Sequence, residues 1–187
     1  MGICIAKFVD HQIRKNRIDP SEAEVYEYGY RLLIEKICAL ILTFVIAVLF
    51  HAWLEIIIFC IAFIPVRTFA GGYHAKHSLC CMVLSAGVLI FNILIGRWLL
   101  TIVFASYALL LEAILFPVIV WMAPVENSNR RISESERRYF KRVVLVLYVV
   151  EVLAEFVLLV LGRGNLVTFI VLAHISVAGS LVVGMKR

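Results

Sequence analysis

Apolar residues fill long, nearly unbroken stretches of the chain, and polar residues gather in a few short intervals between them. A helix needs roughly 17–25 predominantly apolar residues to cross a bilayer. Such stretches run at about 32–50, 53–66, 79–96, 98–122, 143–161 and 166–185. The second is short and ends at Pro65, as a half-span or the tilted partner of a hairpin would. The pattern predicts an all-α, polytopic integral membrane protein with about six transmembrane helices. If 37–66 is a re-entrant hairpin, four spans remain. Residues 1–30 mix apolar and charged positions, and Asp19-Pro20 divides them, with Asp19 as a cap and Pro20 at the first helical position. They predict two short amphipathic helices lying on the membrane surface. The expected organisation is one membrane domain over 1–187, with 1–30 as its surface segment and the transmembrane helices within 32–185.

Composition agrees with the patterning. The 187 residues are 63% hydrophobic and only 17% charged, with a mean hydropathy of +0.99, against about 25% charged in soluble domains. The opening MGICIAKFVDHQIRKNR does not read as a signal peptide, because its apolar run is short and interrupted by charge, so the N-terminus is expected to be kept. Cysteines 4, 38, 60, 80 and 81 are odd in number and show no CxxC spacing, which argues against a disulfide framework and against a structural zinc site. No cofactor is expected.

Charge sets the orientation. With the N-terminus inside, sixteen of the eighteen lysines and arginines fall on the inner side and only Arg97 and Arg163 lie outside. Cytoplasmic loops carry such an excess. The expectation is a multi-pass protein of the cell membrane with both termini cytoplasmic. The net charge of +5 sits in loops, so the lipid bilayer, and not nucleic acid, is the expected partner. Trp53, Trp98 and Trp121 fall at span ends, as interface anchors do, and Pro117 is expected to kink the fourth span.

The candidate chemistry lies in RTFAGGYHAKHSLCC, residues 67–81, on the expected cytoplasmic side. A cysteine attacks as its thiolate, which a histidine or a helix N-terminus favours. Ser78 can cap the third span, placing Cys80 and Cys81 in its first turn. His77 and Cys81 are four apart and share a helix face. His74 and Cys81 are seven apart, roughly 10 Å along a helix axis, so His74 reaches Cys81 only if the chain folds back between them. Gly71-Gly72 could supply that bend. Cysteine is also a common small core residue, and Gly-Gly an ordinary turn, so spacing alone leaves the stretch open between interface and active site.

The same residues resemble the signature of the AgrB family, membrane cysteine endopeptidases of Gram-positive quorum sensing. An arginine, then Gly-Gly-x-His and a cysteine seven residues after the histidine match Arg67, Gly71, Gly72, His74 and Cys81. EYGYRLLIEKI (27–37) is similar to the family's opening segment, and APVENSNRRISESERRYFKR (123–142) to its Ala-Pro-x-x-Asn loop with a basic run behind. The extra Cys80 and His77 are additions to the pattern. The resemblance implies cleavage of the C-terminal tail of a small AgrD-like propeptide and cyclisation to a thiolactone or lactone pheromone precursor. Cys81 would be the nucleophile and His74 the general base and then acid, with Arg67, Gly71 and Gly72 binding substrate or supporting the site. It is compatible with a homodimer.

Elsewhere, Ser133 and Glu136 have capping-box spacing ahead of the fifth span. Glu112, Glu151 and Glu155 lie within spans, where carboxylates are costly; they take a substrate or assembly role, pair helices, or sit as neutral carboxyls near an interface. His51 and His174 are expected to be interfacial or packed. Two competing readings follow: a small transporter with those carboxylates as a proton path, and a non-catalytic membrane scaffold.

Overall fold

The computed structural model describes residues 2–73, 75, 78–99, 107–126 and 132–185. Seven α-helices occupy them: α1 (Gly2–Arg14), α2 (Ala23–Leu49), α3 (Trp53–Ala70), α4 (Ser78–Leu99), α5 (Ala108–Met122), α6 (Glu134–Val160) and α7 (Gly164–Met185). No β-strand occurs among the described residues, only an isolated bridge between Gly71 and Val125. Five helices are long and apolar enough to cross a bilayer, and α5 is a shorter apolar helix. The protein is an all-α polytopic membrane protein.

Two helix boundaries differ from the expectation. Pro65 does not end the second span: α3 continues through it to Ala70 and reaches 18 residues. Proline removes only one backbone donor, and the apolar surroundings favour keeping all the remaining helical bonds. At about 1.5 Å per residue α3 is close to 27 Å long, which favours full spans for α2 and α3 over a re-entrant hairpin. The second surface helix is likewise absent as a separate element, because α2 runs unbroken from Ala23 into the apolar stretch.

The chain forms two compact units, Met1–Val45 and Ile46–Arg187. In the first, one face of α1 buries Ile5 and Val9 with Ile18, against Tyr30 and Ile34 of α2. Phe8 and Tyr30 meet edge to face at 5.1 Å. Asp19 caps a 3-10 turn over Pro20–Glu22. Its carboxylate accepts from the Ser21 hydroxyl at 2.6 Å and the Ser21 N–H at 2.8 Å. These bonds, the hydroxyl first, hold the acid below its usual range.

In the second unit α7 is the central helix, packed against α3, α4, α5 and α6. Its buried residues include Val167, Val171, Val177 and Leu181. Val66 and Ala70 of α3, Ile119 of α5, and Val144 and Tyr148 of α6 close on Val177 and Leu181. Gly96 of α4 is needed for contact, since a Cβ there would lie 2.6 Å from the Phe169 ring. Asn92 of α4 donates to Ser176 of α7 at 3.1 Å, a polar link between two apolar helices. The capping box at the start of α6 forms as expected: the Ser133 hydroxyl accepts from the Glu136 N–H, and the Glu136 carboxylate accepts from the Ser133 N–H at 2.9 Å.

Helix ends sort the loops. Arg97, near the end of α4, reaches the His51 carbonyl at 3.1 Å and Glu55 at 3.2 Å at one end of the bundle. At the opposite end the chain after α3 meets the chain after α5 and the last turns of α7. Trp53, Trp98 and Trp121 stand exposed at helix ends, and Pro117 lies inside α5.

Candidate active site

The site is assembled where α3 gives out. Gly71 closes α3, its N–H bonded to the Arg67 carbonyl. Its φ of +72° is a conformation that residues with a Cβ rarely adopt. The Val125 N–H donates to the Ala70 carbonyl at 2.9 Å, and a Cβ on Gly71 would lie 2.2 Å from the Val125 carbonyl oxygen. Gly72, at φ +119°, rests on α7: a Cβ there would come within 2.7 Å of Ser180 Oγ. The Tyr73 N–H then donates to the Ser180 carbonyl at 3.0 Å. Gly184 is the reciprocal close approach, since a Cβ on it would meet the Gly72 carbonyl carbon at 2.9 Å. The glycine pair is therefore a seam between the 123–126 loop on one side and α7 on the other.

Arg67 fastens this seam. Its half-buried guanidinium donates through Nη1 to the Gly71 carbonyl and through Nη2 to the Tyr73 carbonyl at 2.6 Å. An arginine can hold two acceptors in fixed relation because its donors form a rigid planar fork. Cys81 lies close enough to this guanidinium to interact with it electrostatically.

Among the described residues α4 opens at Ser78. Cys80 and Cys81 still occupy the first turn, Cys80 exposed and Cys81 half-buried. All five cysteines are unpaired. Arg67, Gly71 and Gly72 are thus brought together, with Cys81 within electrostatic reach of the arginine. His74, His77 and Lys76 lie outside the described residues, as does Asn127 of the Ala-Pro-x-x-Asn loop.

The sequence-based reading missed two things. Ala123-Pro124-Val125 and the Gly-Gly pair are parts of one construction, joined by the bridge at Val125. Glu112, Glu151 and Glu155 also converge, on the fully buried His174 and on Tyr148. Ionisable side chains deep in several spans were a usable signal, because a bilayer cannot solvate them separately. His174 is packed, as expected, while His51 is exposed at the turn after α2.

The chain is thus a polytopic all-α membrane protein in which an arginine fastens a Gly-Gly turn at the end of α3. The family model described as Accessory gene regulator B matches residues 4–183, and the chain belongs to that family, AgrB. A "Putative AgrB-like protein" of Clostridium perfringens (strain SM101 / Type A) is 25% identical over 169 residues, 84% of this chain and 77% of the relative. An "Accessory gene regulator protein B" of Staphylococcus haemolyticus (strain JCSC1435) is 30% identical over 79 residues. That match spans 42% of each chain, so this chain covers less than half the length of that relative. No solved structure matches.

Proposed function

We propose that the protein is a membrane-embedded cysteine endopeptidase of a quorum-sensing system, which removes the C-terminal tail of a small propeptide and promotes its cyclisation. The observation that carries this reading is the Arg67 fork on the Gly71 and Tyr73 carbonyls, with Cys81 within electrostatic reach of the same guanidinium. The fork anchors the backbone immediately before His74 in the sequence. An anchor there is what a general base needs if it is to meet a nucleophile seven residues later.

In this mechanism Cys81 Sγ attacks the scissile carbonyl carbon while His74 takes the thiol proton. Collapse of the tetrahedral intermediate breaks the C–N bond, and His74 passes the proton to the departing amine. The product is a thioester on Cys81. A side-chain thiol of the propeptide then attacks that thioester, its proton goes through His74 to Cys81 Sγ, and a thiolactone leaves. Thioester exchange is nearly isoenergetic, so the ring closes without a coupled energy source if water is kept out. A side-chain hydroxyl would give a lactone. The Gly72 N–H and backbone N–H groups at the start of α4 are candidates for holding the oxyanion. The site is proposed to face the cytoplasm, a compartment in which a free thiol persists.

The transporter alternative needs an open path along Glu112, Glu151 and Glu155. Their exposures are 2%, 13% and 0%, enclosed between α5 and α6 with α7 behind, which favours a closed cluster over a conduit. The decisive experiment is co-expression with the small propeptide encoded beside the gene, followed by mass spectrometry. Cys81→Ala and His74→Ala are expected to lose the tail-less cyclic product, whereas Cys80→Ala and His77→Ala retain it. Equal processing by all four variants refutes the catalytic reading.

A further inference from the structure

Away from the Arg67 turn, a second group of reactive side chains lies sealed among α5, α6 and α7, and the proposed peptide chemistry uses none of it. His174 Nδ1 is 3.0 Å from Glu112 Oε1 and 3.8 Å from Glu155 Oε1. Its other nitrogen, Nε2, is 2.6 Å from Glu151 Oε2. The Tyr148 hydroxyl donates to the second oxygen of Glu112, and its ring stacks on the imidazole at 4.3 Å between centroids. Glu155 is fully buried, and neither of its oxygens has a hydrogen-bond donor aligned on it, although the Glu112 carboxylate lies beside it. Two facing carboxylates in an apolar interior must share something positive, either a proton or a cation.

We propose that Glu112, Glu155 and His174 form a binding site for a first-row divalent cation, with Zn2+ the best-fitting ion. One donor atom from each residue lies within 4.8 Å of the other two. Bonds of about 2.0–2.2 Å to a common ion would draw such donors to roughly 3.5 Å apart, so the widest pair closes by about an ångström through side-chain rotation. Glu151 accepts the Nε2 proton of His174, which leaves the Nδ1 lone pair for the metal. A carboxylate behind the ligating histidine is the usual outer partner of a metal site. Tyr148 orients Glu112 in the same manner. The two ligating carboxylates neutralise a divalent charge, which lowers the cost of keeping either group in the bilayer interior. Mg2+ and Ca2+ fit poorly, since they need six or more oxygen donors. One imidazole and two carboxylates suit Zn2+, or Mn2+ and Fe2+, with a remaining position for a second carboxylate oxygen or water.

The consequence reaches the active site through α7. His174 and Ser180 are six residues apart on this helix, about 9 Å along its axis. Ser180 receives the Tyr73 N–H and seats Gly72. A cation joining α5, α6 and α7 would hold the helix on which the Gly-Gly turn rests.

The test uses the full chain purified in detergent, loaded with Zn2+ or Co2+ and desalted, alongside Glu155→Gln and Glu112→Gln. Wild type is expected to retain about one metal per chain by elemental analysis and to unfold several degrees higher than after chelation. The Co2+ form should show visible d–d bands without the near-ultraviolet thiolate band that binding at the five cysteines would produce. Both variants should lose the retained metal, the bands and the thermal shift. A wild-type chain that retains no metal overturns the proposal whatever the variants do. So does retention that is equal in all three proteins, or that carries the thiolate signature. Metal content is read without propeptide, so failure here leaves the peptidase reading standing, and the reverse also holds.

Discussion

Replacing Arg67 tests whether the turn before His74 is held by that side chain. Arg67→Met removes both bonds to the Gly71 and Tyr73 carbonyls, whereas Arg67→Lys can restore at most one, because an ammonium lacks the planar fork. A hydrogen bond to a charged group is worth about 1.5–3 kcal/mol, and each 1.4 kcal/mol is tenfold in a population. Three backbone contacts remain in either variant: Gly71 to Arg67, Tyr73 to Ser180, and Val125 to Ala70. They keep much of the turn in place, so the expected effect lies near the lower bound for each bond lost. Arg67→Lys should slow processing by about tenfold and Arg67→Met by about a hundredfold. The assay is a time course of truncated propeptide in isolated membranes, read by mass spectrometry and normalised to enzyme level. Loss of an anchored turn lowers kcat, while loss of a propeptide contact raises KM. If Arg67→Met processes within twofold of wild type at equal abundance, the anchor does not support catalysis and the argument fails.

Three further outcomes follow from the same geometry. Gly72→Ala forces a Cβ toward Ser180 at φ +119°, and should cost about 1–3 kcal/mol in stability and reduce processing, measured by thermal unfolding and product yield. Ser133→Ala removes the capping box of α6 and should lower stability by about 1 kcal/mol while leaving processing unchanged. The exposed Cys80 should react with a membrane-impermeant maleimide in inside-out vesicles and not in intact cells, and labelling in intact cells would reverse the proposed orientation.

Local chemistry made much of the fold legible in advance. The apolar stretches foretold the helices because a bilayer leaves the backbone no alternative to internal hydrogen bonding. Asp19 and the Ser133–Glu136 pair announced their helix starts because a cap involves residues only two or three apart. The spacing from Arg67 to Cys81, compared with the family pattern, marked the candidate site, and family membership follows from nearly the whole length of the chain.

Other features depend on residues far apart in sequence, and the tertiary structure alone decided them. Proline at position 65 looked like a terminus, yet α3 passes through it, because packing of Val66 and Ala70 against α6 and α7 outweighs one missing donor. The Gly-Gly pair read as a simple bend. Its demands come from Val125 and Ser180, more than fifty and a hundred residues away in the chain. Glu112, Glu151, Glu155 and His174 could each be recognised as costly inside a membrane, but their meeting depended on how α5, α6 and α7 pack. Composition and short-range spacing marked most of the helical segments and the residues that carry reactive groups, since both are properties of near neighbours. Which groups face one another was settled by helix packing, where close approach at glycines and the cost of unpaired charge select one arrangement.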